Sequence, residues 1–206
     1  MSGLDLFGAV STADTGERSA KDFYETPAYM VRSLILHHPP IVGAYVLEPA
    51  SGRDAIARVL REEAGCRVIT NDLDPAHPSQ WHFDATAGHL WSRVGPDVKQ
   101  DGRSVEWVIG NFPFDVAFAI AIRAFAVVPN MALLLRKTFL EPTVERGEWL
   151  NRFPPTRIIG LPRHKFRGES SDSVSADWHI WQRRPDPMLP AIVIDHLAKT
   201  RTRRLL

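Results

Sequence analysis

Apolar and polar residues fall into blocks of two lengths along this chain. Short, nearly continuous apolar runs read as strands: AYVLEP (44–49), RVIT (67–70), VEWVIG (105–110), MALLLRKTF (131–139) and TRIIGLP (156–162). Longer segments with helical spacing lie between them. Thr26 and Pro27 open the first helix, a hydroxyl cap followed by proline where no donor is needed. That helix, AYMVRSLILHH, stops at Pro39-Pro40. RDAIARVLREEAG (53–65) places Ile56, Val59 and Leu60 on one face and ends at Gly65. DVAFAIAIRAFAVV (115–128) is apolar on most sides and predicts a well-buried helix, and RGEWLNRF (146–153) predicts another. HFDAT (82–86) holds a weaker strand end. WHIWQRR (178–184) alternates as an edge or antiparallel strand does, and IVIDHLA (192–198) suits a final strand or a short helix.

Strands that alternate with helices and are themselves unbroken apolar runs signify a parallel sheet covered on both faces. The expected fold is therefore α/β, a doubly wound and mostly parallel sheet. Such sheets bind ligands beyond the carboxyl ends of their strands, near the switch in strand order.

Composition narrows the setting. At 206 residues, 44% hydrophobic and 24% charged, the chain suits one domain with an ordinary core. No apolar stretch nears the roughly 18 residues of a membrane span, so no membrane partner is expected. Residues 1–20 lack a basic start and a long apolar core, and read as a mobile arm rather than a secretory signal. The single cysteine, Cys66, excludes an internal disulfide and a cysteine-based zinc site and points to a reducing, cytoplasmic compartment. Net charge is +1, but residues 163–206 carry nine Lys and Arg against five acids, a net +4. That suits a polyanionic partner or a solvated tail. The expected organisation is the arm (1–20), one domain (21–190) and a basic tail (191–206).

Four strand ends carry candidate chemistry. The first runs LEPASGRDA: Glu48 closes the strand, and Ala50, Ser51 and Gly52 make a tight turn that lets backbone approach a ligand. No G-x-G-x-x-G is present, and a carboxylate stands where a pyrophosphate would approach, so a dinucleotide is excluded and a ligand cation is favoured. The second end carries Asp72, 24 residues after Glu48, near the spacing of a ribose-binding acid. The third is Asp84, an acid able to accept an amino group. The fourth reads Asn111-Phe112-Pro113-Phe114. It offers an amide oxygen, a backbone carbonyl held extended by the following proline, and a flat ring. Two acceptors beside a ring suit a planar, amine-bearing base. Histidines 77, 82 and 89 have no metal-ligand spacing, and no P-loop, nucleophile elbow or paired-carboxylate hydrolase signature occurs.

Taken together, these segments resemble S-adenosylmethionine-dependent amino-methyltransferases, in particular the DNA adenine-N6 methyltransferases of phages and restriction systems. DFYETPAYMV (22–31) resembles the family motif that contacts the methionine part of the cofactor, which implies roles for Tyr24, Thr26 and Pro27. LEPASGRDA resembles the cofactor loop (Glu48, Pro49, Ala50, Ser51, Gly52). NDLDP resembles the ribose segment (Asp72, Leu73), and FDAT the adenine contact (Asp84, Ala85). NFPF resembles the catalytic [D/N/S]-P-P-[Y/F], with Asn111 also beside the cofactor. The resemblance covers residues 22–184. Two positions depart from it: Asp54 stands where the family usually has glycine, and Phe112 where it has the first proline, which keeps the carbonyl but reduces rigidity.

The resemblance implies a seven-stranded Rossmann-like fold, S-adenosyl-L-methionine as cofactor, no metal, and methyl transfer to adenine N6 in DNA. RHKFRGESSDSVSADWHIW (163–181) resembles the late region beside the target base, implying nucleic-acid contacts from Arg163, Lys165, Phe166 and Arg167. Arg136, Lys137 and the terminus around Arg201, Arg203 and Arg204 are weaker candidates. The separate target-recognition domain of large family members has no room here, which implies either low sequence selectivity or help from a second copy or a separate specificity subunit. Cytosine N4, RNA and a protein glutamine are alternative acceptors for the same site, and a degenerate module that binds without turnover is the alternative outside enzymes.

Overall fold

The computed structural model describes residues 25–95, 97–99, 102–141, 143–165 and 173–200, and of residues 165, 173 and 174 the backbone only. The proposed arm, Tyr24, Phe166, Arg167 and the arginines after residue 200 lie outside the described residues.

Helix α1 (Ala28–His37) precedes β1 (Tyr45–Glu48), α2 (Ala55–Ala64) and β2 (Arg67–Thr70). A one-turn α3 (Gly88–Trp91) leads to β3 (Trp107–Gly110), α4 (Ala117–Val127) and β4 (Asn130–Arg136). Then follow α5 (Val144–Arg152), β5 (Arg157–Gly160), the short hairpin of β6 (His164–Lys165) and β7 (Ser173–Val174), β8 (Ala176–Gln182) and β9 (Ile192–Ile194). Seven of these strands form one sheet in the order β2-β1-β3-β4-β8-β5-β9. All pairs are parallel except those of β8, which runs antiparallel to both β4 and β5. From β1 the chain winds outward to β2 and then returns to β3 on the other side, so the strand order reverses between β1 and β3. That crevice is where an open α/β sheet binds its ligand.

Each face of the sheet buries its own apolar layer. Met30, Leu34, Ile56 and Leu60 of α1 and α2 pack on Trp107, Ile109, Trp178 and Ile180. On the other face Leu90, Trp91, Ile120 and Ala121 pack on Tyr45, Leu47, Leu133 and Trp181. Arg32 on α1 grips both carboxylate oxygens of Glu63 on α2, at 2.8–3.1 Å. Among the described residues no helix is long and apolar enough to cross a membrane.

IVIDHLA takes the strand form, β9, which pairs with β5. Local rules misjudge two boundaries. HFDAT forms no strand; the nearest pairing is an isolated parallel bridge between Asn71 and Trp81. Thr26 does not cap α1: Pro27 holds the N-cap position without a side-chain hydrogen bond. The Thr26 hydroxyl is engaged elsewhere.

Candidate active site at the carboxyl ends of the strands

The ends of β2, β1 and β3 lie side by side, with Val46 opposite Trp107 on one flank and Val68 on the other. Adjacent strands stand about 4.8 Å apart, so the segments after Thr70, Glu48 and Gly110 share a strip about 10 Å wide. Glu48, Asp72 and Asn111, widely separated in sequence, thus meet at one sheet end.

The loop after β1 is held by backbone. Ser51 N–H donates to the Asn71 carbonyl (2.9 Å), and Asp54 N–H to the Ser51 carbonyl (2.9 Å). Gly52 (φ 52°) and Asp54 (φ 67°) are both left-handed. Asp54, where glycine was expected, is thus left-handed despite its Cβ, a state aspartate tolerates better than most. Arg61 clamps its carboxylate at 2.7 Å.

Glu48 is 1% exposed, and its Oε2 accepts the Ala57 N–H at 2.9 Å, pinning β1 to α2. Burial, joined by the nearby charge of Asp54, pushes its carboxyl well above the usual carboxylate range. Glu48 lies beneath the loop after β1 rather than on the open surface.

Asp72 uses both oxygens to fix loops: Oδ2 accepts Gly52 N–H (2.8 Å) and Oδ1 accepts Asp74 N–H (2.9 Å). His77 Nδ1 stands 3.0 Å from the same Oδ1. A carboxylate oxygen has two acceptor sites, so Oδ2, with one bond, keeps capacity for a ribose hydroxyl. Leu73 beside it is 45% exposed. Asp84 is exposed, and its Oδ1 closes a turn by accepting the Thr86 N–H (2.8 Å) and hydroxyl (2.6 Å). Buried Ala85 accepts Trp91 Nε1 at its carbonyl (2.8 Å).

One organising residue escaped sequence reasoning. Asn71 is fully buried, and its Nδ2 donates to the carbonyls of Pro49 and Phe83, both at 2.9 Å, while its Oδ1 accepts the Phe83 N–H at 2.9 Å. It ties together the three loops expected to hold the cofactor. Its position directly after a strand, beside Asp72, was the available signal.

At the end of β3, Asn111 Nδ2 donates to Thr26 Oγ1 at 3.0 Å. Thr26 is buried, so the amide's N–H edge is held by a buried hydroxyl. No described residue donates to Asn111 Oδ1. Phe112 is 2% exposed, and its ring folds back over Gly110, where any Cβ would overlap it. The rigidity expected to be lost with the missing proline is supplied by a buried aromatic anchor. Pro113 is exposed. Phe114 is 40% exposed, with the Arg136 guanidinium 3.7 Å from its ring centroid. Arg136 therefore stacks on the ring itself and is not a free rim charge.

Lys137 lies 3.7 Å from the Asp177 carboxylate. Arg163 is exposed, and its carbonyl accepts the Lys199 ammonium. Lys165 lies in the β6–β7 hairpin. The hairpin is anchored to α1 by the Tyr29 hydroxyl, 3.0 Å from His164 Nδ1. Burial raises Tyr29 to about 12. Among the described residues no three His, Cys, Asp or Glu side chains cluster as metal ligands.

This seven-stranded sheet, with antiparallel β8 between β4 and β5, has the Rossmann-like fold of class I S-adenosylmethionine-dependent methyltransferases. The methyltransferase subunit of a type I restriction-modification system from Streptococcus thermophilus superposes with a TM-score of 0.55 at 13% identity, over 79% of this chain and 45% of that one. A candidate RNA methyltransferase from Pyrococcus horikoshii superposes at 0.56 and 16% identity, over 78% and 87%. A candidate class I S-adenosylmethionine-dependent methyltransferase from Listeria monocytogenes superposes at 0.51 and 14%, over 81% and 61%. The chain thus spans under half the length of the restriction-system subunit. No family model matches the chain and no curated protein matches its sequence.

Proposed function

We propose that this chain is an S-adenosylmethionine-dependent methyltransferase acting on the N6 amine of adenine in DNA. The observation that carries the proposal is the Asn111 amide, whose Nδ2 is held by Thr26 at the end of β3, beside the switch between β1 and β3; its oxygen and the adjacent Phe112 carbonyl are the acceptor pair this reading requires. When bound, the cofactor supplies an electrophilic methyl on a sulfonium. The residues present fit it: a small-residue loop with two left-handed positions, a buried acid beneath, and Asp72 with acceptor capacity toward a ribose.

The adenine amine is a poor nucleophile because its lone pair is delocalised into the ring. Asn111 Oδ1 and the Phe112 carbonyl accept its two hydrogens, draw the nitrogen toward tetrahedral geometry and stabilise the positive charge that grows as the N–C bond forms. Asn111 is neutral and works as a fixed dipole, not as a base. Such oriented dipoles are worth roughly 2.7–4 kcal/mol each in other enzymes. Phe114 stacks the base on the face opposite Arg136, at about 1–3 kcal/mol per stacked base. A duplex base must first leave its stack, at a cost of a few kcal/mol.

Arg136 and Arg163, both at the carboxyl end of the sheet, support a nucleic acid over a protein acceptor. We assign target selection to a second copy or a separate specificity subunit, as the likeness to one subunit of a type I system suggests. Likeness to a candidate RNA methyltransferase keeps RNA as the second reading. The test is transfer of labelled methyl to unmethylated DNA, RNA and total protein, followed by nucleoside analysis. N6-methyladenosine in digested RNA with none in DNA would move the assignment to RNA, and label in protein alone would overturn it.

A further inference from the structure

The two edges of the sheet are finished differently. The β2 edge carries the exposed Arg67 and is closed by returning chain: the Gln80 and Trp81 N–H groups both donate to the Thr70 carbonyl at 3.1 Å, and Trp81 bridges Asn71. At the other edge stands β9, and among the described residues no strand pairs with its outer side. Open edges are templates for pairing, and proteins blunt them with charges, bulges or covering chain. Residues 187–194, PMLPAIVI, carry no charge at all. Of ten large apolar side chains exposed among the described residues, four (Met188, Ile192, Ile194 and Leu197) fall in this one segment, so apolar exposure is concentrated at the open edge.

The backbone of β9 defines what fits it. Ile158 N–H donates to the Ala191 carbonyl (2.8 Å) and Asp195 N–H to the Gly160 carbonyl (2.9 Å), so residues 191, 193 and 195 turn their backbone groups toward β5. Ile192 and Ile194, which alternate with them, turn their N–H and C=O groups to the free side. Side chains alternate as well: Val193 packs into the layer that contains α1, while Ile192 and Ile194 stand on the opposite face, 66% and 68% exposed.

This array is complementary to itself. A second copy laid antiparallel about a twofold axis at Val193 sets Ile192 opposite Ile194 of the second copy, and Ile194 opposite its Ile192. Each such pair exchanges both N–H···O=C bonds, so every outward backbone group of β9 is matched. The isoleucines of the two copies then form one apolar cluster on a single face. With no charge along the segment to select a foreign partner, the fit is set by backbone and isoleucine shape, and the chain itself supplies both. A twofold contact also closes, because it uses up the edge of both copies and cannot grow into a fibre.

We propose that β9 is a homodimer contact, in which two copies pair their Ile192–Ile194 edges antiparallel about Val193 and join their sheets into one. Three paired residues are far fewer than the roughly 20–30 a side of a standard interface, so the dimer is weak and concentration-dependent. The twofold axis turns the carboxyl ends of the two sheets in opposite directions, so each copy keeps its own candidate active site clear of the contact.

The test is sedimentation equilibrium of the full chain over a range of concentrations. The expected result is an average mass that climbs from 23.2 kDa toward twice that value as concentration rises. Ile192→Lys/Ile194→Lys crowds like charges on one face of the paired strands, and should stay at the monomer mass where the parent is mostly dimer. Register is read by disulfide trapping. Cα atoms of a non-hydrogen-bonded antiparallel pair stand about 4.5 Å apart, within disulfide reach, so Val193→Cys should link into a covalent dimer on mild oxidation. Ile192→Cys, which faces Ile194 instead of its own counterpart, should not link, nor should the parent with its buried Cys66. A parent chain that is monomeric at every concentration overturns the contact, whether another segment of the chain covers β9 or the edge stays open. A dimer that survives the double lysine change, or fails to link at 193, or links at 192 instead, overturns it too. If the lysine variant does not fold, the two cysteine variants decide. None of these readouts depends on methyl transfer.

Discussion

Thr26→Val isolates the contact on which the acceptor geometry rests. Valine matches threonine in shape, so packing at this buried position is preserved while the hydroxyl 3.0 Å from Asn111 Nδ2 is lost. A hydrogen bond of this kind contributes about 1 kcal/mol net. Asn111 is half-buried, so its released N–H recovers part of the loss from water, and the stability cost stays near that figure. For a chain of this size about 1 kcal/mol corresponds to roughly 2–4 °C in Tm. Catalysis responds more sharply, because an amide with no held edge rotates and presents its nitrogen where an acceptor is needed. A bias of about 1 kcal/mol toward the productive orientation amounts to roughly fivefold in kcat. The assay is steady-state methyl transfer at saturating cofactor, with cofactor affinity measured by calorimetry. Thr26→Val should lose about three- to tenfold in kcat with cofactor Kd changed less than about twofold, and Thr26→Ser should restore both. Unchanged kcat with weakened cofactor binding would refute the orienting role and make Thr26 a cofactor contact alone.

Phe112→Pro removes a buried ring and should cost about 3–5 kcal/mol in denaturant unfolding; an unchanged midpoint would show that the ring is not an anchor. Asp54→Gly relieves a left-handed residue but gives up the Arg61 pair and frees the unfolded chain, so it should stay within about 1 kcal/mol of the parent, whereas Asp54→Ala should lose at least about 1 kcal/mol. Glu48, raised well above its usual 4.5, holds a proton in the folded state that the unfolded chain releases, so its contribution is full below pH 4.5 and is lost as pH rises toward its folded value. Glu48→Gln should therefore flatten the fall in Tm on the alkaline side of pH 4.5 while weakening cofactor binding; a steeper fall would contradict the buried-acid reading. Arg136→Ala should lower affinity for single-stranded DNA and reduce its dependence on salt, and unchanged binding at low salt would leave Arg136 as a support for Phe114 only.

The sheet was legible because buried parallel strands leave unbroken apolar runs, as in VEWVIG and MALLL, and those runs fixed where Glu48, Asp72 and Asn111 would sit. Side-chain direction was much less legible. Capping rules assign Thr26 to its own helix, but a contact with a residue 85 positions away claims its hydroxyl instead. The catalytic pattern weighs Phe112 by its carbonyl, so the burial of its ring over Gly110 had no signature. Asn71 stood only as part of a polar stretch, and Arg136 as a nucleic-acid candidate, until the fold placed the first against the loops at Pro49 and Phe83 and the second on the Phe114 ring.

The central claim is that Asn111 acts as a neutral acceptor for an amine opposite a transferable methyl. Single-turnover transfer from labelled S-adenosylmethionine to unmethylated DNA by the parent chain and by Asn111→Ala, with cofactor affinity measured on both, tests it most directly. The account predicts a loss of about 10²–10³ in rate, cofactor Kd within about twofold of the parent, and label recovered as N6-methyladenine. Transfer by Asn111→Ala at the parent rate would contradict it.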